Sequence, residues 1–208
     1  MVKKSNIVII NYGMSNTRSI YNKFSRMGKE CLISSNKSDI EKADKLILPG
    51  VGHFKDAMQN LHNLDLIDIL NGKVLKQKTP LLGICLGVQL FAGRSEEGNC
   101  KGLGWIDAEV VKFNISNKLR YKVPHMGWND VSIVNSNCLD VDMTKDDLFY
   151  FVHSYHLKSD DESIVWMKSN YEYEFISAIH KDNIYGTQFH PEKSHDAGFK
   201  LLKKFAEL

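Results

Sequence analysis

Cys85 sits in the stretch Gly83-Ile84-Cys85-Leu86-Gly87, after the apolar run Pro80–Ile84 and before a helical pattern at Val88, Gln89, Leu90 and Phe91. This is a cysteine version of the G-x-S-x-G nucleophile elbow, in the strand–turn–helix context that motif demands. The flanking glycines let the chain turn sharply and approach neighbouring backbone, which holds the thiol exposed at the C-terminal end of the strand. The helix that follows aims its first amides at the sulfur and favours a thiolate. The amide of Leu86 then stands ready to donate to an oxyanion.

A cysteine nucleophile needs a base and a group that orients the base. His190 is followed two residues later by Glu192 in Gln188–Ser194 (QFHPEKS), directly after the strand-like run Ile184–Gln188. In extended chain an i, i+2 pair points to one face, so Glu192 can hold one imidazole nitrogen while the other faces Cys85. A second glycine-rich turn, Leu48–Gly52 (LPGVG), follows another strand candidate. Parallel sheets gather functional loops at the C-terminal ends of their strands, which makes Gly50, Val51 and Gly52 candidates for the second oxyanion donor. Losing one such donor typically costs ~2.7–4 kcal/mol of transition-state stabilisation.

These groups need a rigid frame. A chain of 208 residues fits one domain, residues 1–208, and buries roughly 70% of its unfolded surface without staples. In the first half, Asn6–Ile10 and Pro80–Ile84 read as short buried strands, and Cys31–Ser34 and Lys45–Leu48 as further strand candidates. They alternate with helical patterns at Thr17–Met27, Phe54–Leu61 and Leu66–Leu75. The second half is β-leaning, in Trp105–Phe113, Asp130–Val134, Phe149–Ser154, Ile164–Ser169, Phe175–His180 and Ile184–Gln188, and ends in an amphipathic helix, Ala197–Leu208. The expected class is α/β: a mostly parallel central sheet with helices on both faces, extended by antiparallel strands in the second half.

Composition narrows the function. A net charge of +2 advertises neither nucleic acid nor a membrane surface. No apolar run approaches the ~20 residues of a membrane span. Lys3 and Lys4 precede a run too short for a signal peptide, so the expected location is cytoplasmic. Of the four cysteines, Cys31 and Cys138 read as small buried hydrophobes and Cys100 as an incidental loop thiol. No C-x-x-C pair suggests a metal, and His153, His156, His190 and His195 lack any metal-ligand signature. No cofactor is expected.

The ordered set PGVG, GICLGVQL, SEEG, KVPHMGWN, FVHSYH and FHPEKS resembles the class I, triad-type glutamine amidotransferases, and more narrowly the glutaminase subunits of imidazole glycerol phosphate synthases. The resemblance implies a flavodoxin-like fold. It implies that Cys85 attacks the carboxamide of L-glutamine, that His190 is the base and that Glu192 orients it. It places the oxyanion hole at Leu86 and the Gly50–Gly52 loop, including Val51. It places the substrate against Gln89, His153, Ser154 and Tyr155. It also implies a heterodimer with a (β/α)₈-barrel cyclase that receives the ammonia, docked on Asn11, Tyr12, Met14, Asn16, Pro124, His125, Met126, Trp128 and Asn129. The complex would make imidazole glycerol phosphate and an aminoimidazole carboxamide ribotide. Asn11 stands where the family commonly has an acidic residue, and Val88 interrupts its usual CLGMQ. Paralogues of such subunits feed ammonia to other synthetases, including sugar-modifying ones of surface polysaccharide pathways, and that alternative stays open.

Two other classes compete. A cysteine-elbow hydrolase or protease takes its acid from a separate strand, against which Glu192 directly after His190 argues. A non-catalytic partner-binding module would keep the fold without needing Cys85, His190 and Glu192 together. Glu96 and Glu97 of SEEG read as solvated, Trp105 and Trp128 as packing or interface aromatics, and Lys200, Lys203 and Lys204 as the outer face of the last helix.

Overall fold

The computed structural model describes residues 6–140 and 142–208; Lys3 and Lys4 lie outside them. Along the chain run β1 (Ile7–Ile10), α1 (Thr17–Arg26), β2 (Cys31–Ser34), α2 (Lys37–Glu41), β3 (Lys45–Gly50), α3 (Phe54–Asn63), α4 (Ile67–Asn71), β4 (Leu81–Cys85) and the single turn α5 (Leu86–Gln89). Then come β5 (Arg94–Ser95), β6 (Cys100–Lys101), β7 (Glu109–Lys112), β8 (His125–Asn129), β9 (Ser132–Ile133), β10 (Phe149–His153) and β11 (Tyr155–Lys158). The chain closes with β12 (Val165–Tyr171), β13 (Tyr173–Lys181), β14 (Ile184–Thr187) and α6 (His195–Glu207).

The strands β1, β3 and β4 are unbroken apolar runs because both faces of a parallel sheet are covered. Helix α1 starts at Asn16, whose side chain accepts from the Ser19 amide at 3.4 Å, and buries Ile20 and Phe24 on one face. Helix α6 buries Leu201, Leu202 and Phe205 in the layer that also holds Ile20 and Phe24. The opposite layer gathers Leu48, Phe54, Leu61, Leu86 and Phe91.

The main sheet runs β2-β1-β3-β4-β14-β13-β11-β7-β5-β6, with β12 and β9 branching from β13. Neighbours β3, β4 and β14 are parallel. Their shared C-terminal edge therefore carries Gly50, Cys85 and the chain that leads from Thr187 to His190. Crossing to antiparallel pairing begins at β14–β13.

Several expectations need correction. The run Phe149–Ser154 does not extend the central sheet: β10 pairs with β8 in a separate two-stranded ribbon. Strand β8 escapes the sequence pattern because its outward residues, Met126 and Trp128, are themselves apolar and blur the alternation. The helical pattern at Leu66–Leu75 divides into α4 and a π-helical turn at Gly72–Lys76, where Asn183 Nδ2 donates to the Val74 carbonyl at 3.0 Å. The helix after Cys85 stops after one turn. Cys138 is exposed, not buried, and its sulfur contacts the Tyr185 hydroxyl at 3.7 Å.

Candidate active site

Cys85 is the last residue of β4 and has φ 54° and ψ −113°, a conformation that a residue with a Cβ adopts only under strain. The turn is possible because Gly87 has no side chain: a Cβ there would stand 1.8 Å from the Leu48 carbonyl oxygen. The elbow thus packs directly on β3. It projects the Cys85 sulfur toward the Val152 carbonyl at 4.0 Å and the Gln188 amide nitrogen at 3.7 Å.

His190 follows β14 and is anchored through its backbone. Its N–H donates to the Tyr150 carbonyl at 2.9 Å, and its carbonyl accepts from the Ser194 hydroxyl at 2.6 Å. The Ser194 oxygen in turn accepts from the Tyr150 amide at 3.0 Å. The side chain is held by Glu192, whose Oε1 lies 2.8 Å from Nδ1. Both residues are buried. Nε2 makes no hydrogen bond of good geometry and is the nitrogen left for the sulfur. Burial pulls the imidazolium down, but the neighbouring Cys85 sulfur and the Glu192 carboxylate outweigh it and raise His190 to about 10.

A cleft of about 280 Å³ opens beside Cys85, lined among others by Val51, Gly52, Leu86, Gln89, Glu97 and Tyr155. His153 and Ser154 also border it. Gln89 Nε2 donates to the Tyr155 carbonyl at 2.9 Å and to Gln188 Oε1 at 2.9 Å, so both its amide hydrogens are used. Only its oxygen remains for a ligand, and an amide oxygen can only accept.

The sequence placed Glu97 in solvent; the structure places it in the cleft wall. Its Oε2 accepts from the Phe54 amide at 2.8 Å, which anchors the carboxylate in the lining of the cleft that also holds Cys85. The spacing in SEEG held the signal, but only the β5–β6 turn aims it inward. Gln188 was likewise missed as a partner of the sulfur.

His153 lies buried in the wall and turns its ring into the protein. Nδ1 faces the Tyr155 carbonyl at 2.8 Å, which can only accept, so that nitrogen carries the proton. Burial holds His153 well below its usual value, and its neutral Nε2 accepts from His125 Nδ1 at 3.1 Å. Burial also lowers His125 to about 4. Both imidazoles are therefore neutral. His156 bonds elsewhere, to the Leu157 carbonyl at 2.9 Å and the Tyr173 hydroxyl at 3.1 Å. Among the described residues no three of the His, Cys, Asp or Glu side chains converge on a metal position.

One of the oxyanion-loop expectations changes. The Val51 amide is committed to the Met14 carbonyl at 2.7 Å, so it does not face the cleft in this arrangement. The Leu86 amide opens a helix and has no carbonyl four residues back to bond. Of the expected docking residues, Asn11, Asn16, Pro124, Met126 and Trp128 are exposed, and Met14 and Asn129 are half-buried. Tyr12 and His125 are not surface groups. The Tyr12 ring joins the core beside Leu48 and Leu86, and His125 takes the inward side of the β8 alternation.

An elbow cysteine, a carboxylate-held histidine and a cleft with an acidic wall define a thiol amidohydrolase site on an α/β sheet. The family model for class-I glutamine amidotransferases matches residues 8–207, and the chain belongs to that family. It is 53% identical over 199 residues to the imidazole glycerol phosphate synthase subunit HisH 2 of Methanococcus maripaludis, which covers 96% of this chain and 98% of that one. It is 48% identical over 203 residues to subunit HisH 1 of Campylobacter jejuni, with 97% and 100% coverage. The fold is shared with a putative GMP synthase protein from Thermoplasma acidophilum, at TM-score 0.74 and 19% identity, over 100% of this chain and 94% of that one.

Proposed function

We propose that this chain is the glutaminase subunit of an imidazole glycerol phosphate synthase and acts in histidine biosynthesis, residues 1–208 working as one amidotransferase domain. The observation that carries the chemistry is the approach of the Cys85 sulfur to the imidazole of His190, itself held by Glu192, with Cys85 lining a cleft of about 280 Å³. Full-length identity of about one half to HisH subunits supports the pathway.

In this reading the thiolate of Cys85 attacks the carboxamide carbon of L-glutamine, and the Leu86 amide meets the developing oxyanion. His190 carries the thiol proton and returns one to the leaving nitrogen. Ammonia departs and a glutamyl thioester remains on Cys85. Water, deprotonated by His190, then releases glutamate. The carboxylate of Glu97 suits the substrate α-ammonium, and the free oxygen of Gln89 suits a second substrate donor.

The acceptor of the ammonia is a (β/α)₈-barrel cyclase docked over the Asn11–Asn16 turn and the exposed Met126 and Trp128. The aromatic face supports this: Trp128 stacks on His195 at 4.8 Å between ring centroids and is 45% exposed. No helix among the described residues is long and apolar enough to cross a membrane, which suits a cytoplasmic enzyme. The test is glutamine hydrolysis by the purified chain, alone and with the barrel cyclase and its nucleotide substrate. Stimulation by the cyclase supports the assignment. Stimulation only by a sugar-modifying synthetase would move the chain to that pathway, and no hydrolysis in any pairing would leave a binding module.

A further inference from the structure

The hydrogen bonds around Cys85 fix the orientation of one more amide. Carboxamide oxygen and nitrogen are assigned from their partners, not observed directly. Here the assignment is anchored by backbone. The Tyr155 carbonyl can only accept, so the Gln89 atom 2.9 Å away is its nitrogen. That nitrogen also lies 2.9 Å from the Gln188 side chain, so the Gln188 atom it meets is the oxygen. The remaining terminal atom of Gln188 is its nitrogen, and this atom faces the Cys85 sulfur at 3.7 Å. Flipping either amide would set two donors or two acceptors against each other in a site where both side chains are buried.

We propose that Gln188 is a further catalytic residue, whose carboxamide N–H donates to the Cys85 sulfur and stabilises its thiolate, with Gln89 as the positioning residue that aims it. The assignment rests on Cys85 being the nucleophile. The relay runs Tyr155 carbonyl, Gln89 amide, Gln188 amide, sulfur. It begins on the strand that walls the glutamine cleft, so a ligand that pulls on Gln89 also acts on the donor at the sulfur. The other polar groups facing the sulfur are the His190 imidazole, the Val152 carbonyl and the buried Tyr12 hydroxyl. A carbonyl oxygen repels a thiolate, and the Tyr12 hydroxyl makes no hydrogen bond. Among the described side chains, Gln188 and His190 favour the negative sulfur, one as a neutral donor and one as a cation. A hydrogen bond to a charged partner is stronger than a neutral one and is felt most where water is excluded.

The experiment is the pH profile of Cys85 alkylation by a glutamine-like chloroketone, with the labelled residue located by mass spectrometry. In Gln188→Met, which keeps length and volume but has no donor, the midpoint of the profile should move up by about one pH unit. Glutaminase kcat should fall about tenfold at neutral pH with KM little changed. Gln89→Met should shift the midpoint in the same direction by less while also raising KM, and the double variant should shift it no further than Gln188→Met alone. A folded Gln188→Met with the wild-type midpoint overturns the proposal. The side-chain amide resonances of Gln188 give a reading that needs no Gln188 variant: they should titrate with the alkylation midpoint in the wild type and lose that step in Cys85→Ala. Amide resonances blind to that midpoint also overturn it. If the wild type is alkylated elsewhere than Cys85, the nucleophile assignment fails first and takes this one with it.

Discussion

The amide of Val51 donates to the carbonyl of Met14 at 2.7 Å, which ties the glycine-rich loop after β3 to the turn after β1. With the Val51 amide so engaged, the proposed mechanism leaves the oxyanion to the Leu86 amide. Met14 belongs to the turn on which the cyclase is proposed to dock, so docking and the second donor share one hydrogen bond.

The isolated chain should therefore hydrolyse glutamine slowly. One missing oxyanion donor corresponds to ~10²–10³ in kcat. Stimulation by the cyclase should be of that order and should depend on the exposed aromatic face. Trp128→Ala should lower stimulation or cyclase affinity while leaving the rate of Cys85 alkylation in the isolated chain within about twofold. Titration calorimetry and alkylation kinetics on the same samples separate the two.

Glu97 provides a test of substrate orientation. Glu97→Gln keeps an acceptor for the Phe54 amide and removes the charge offered to the α-ammonium. KM for glutamine should rise about tenfold or more, since a charge-assisted hydrogen bond contributes ~1.5–3 kcal/mol, while kcat changes little. An unchanged KM would return Glu97 to a structural role in the β5–β6 turn.

The pH dependence of stability follows from His190. Its folded value, about 10, lies above the ordinary 6.5. A group raised on folding contributes stability that is complete below its unfolded value and is lost as the pH climbs through its folded one. The urea midpoint of the wild type should therefore decline between about pH 6.5 and pH 10. In Cys85→Ala the decline should be shallower, because the sulfur no longer holds the imidazolium. Equal slopes in the two proteins would mean that the sulfur does not support the cation.

Backbone strain at the elbow gives a stability prediction with an unusual sign. Glycine in a strand normally weakens it. At φ 54° and ψ −113° it should do the reverse. Cys85→Gly and Cys85→Ala should both lose glutaminase activity, yet the glycine variant should unfold about 1 kcal/mol higher in urea.

Tyr12 carries a buried hydroxyl with no partner. Tyr12→Phe should leave the melting temperature unchanged or raise it, since the ring stays in the core and the unpaired oxygen goes. Differential scanning calorimetry decides this.

The sequence by itself determined the local pieces. The elbow at Gly83–Gly87 is legible because a cysteine between glycines, after an apolar run, has few other uses. The pair His190 and Glu192 is legible because both lie within one short extended segment, where spacing alone sets the geometry. Strands β1, β3 and β4 are legible because burial on both faces leaves unbroken apolar runs. What only the tertiary structure decided is which distant groups meet. The parallel order β3-β4-β14 brings His190 to Cys85 across more than a hundred positions of chain, a relation no local pattern encodes. The inward turn of Glu97, the burial of Tyr12 and His125, and the hydrogen bond that holds the Val51 amide away from the cleft depend on packing between separate elements. So does the orientation of Gln188: an amide looks the same from both ends in sequence, and only the Tyr155 carbonyl two partners away sets which end meets the sulfur.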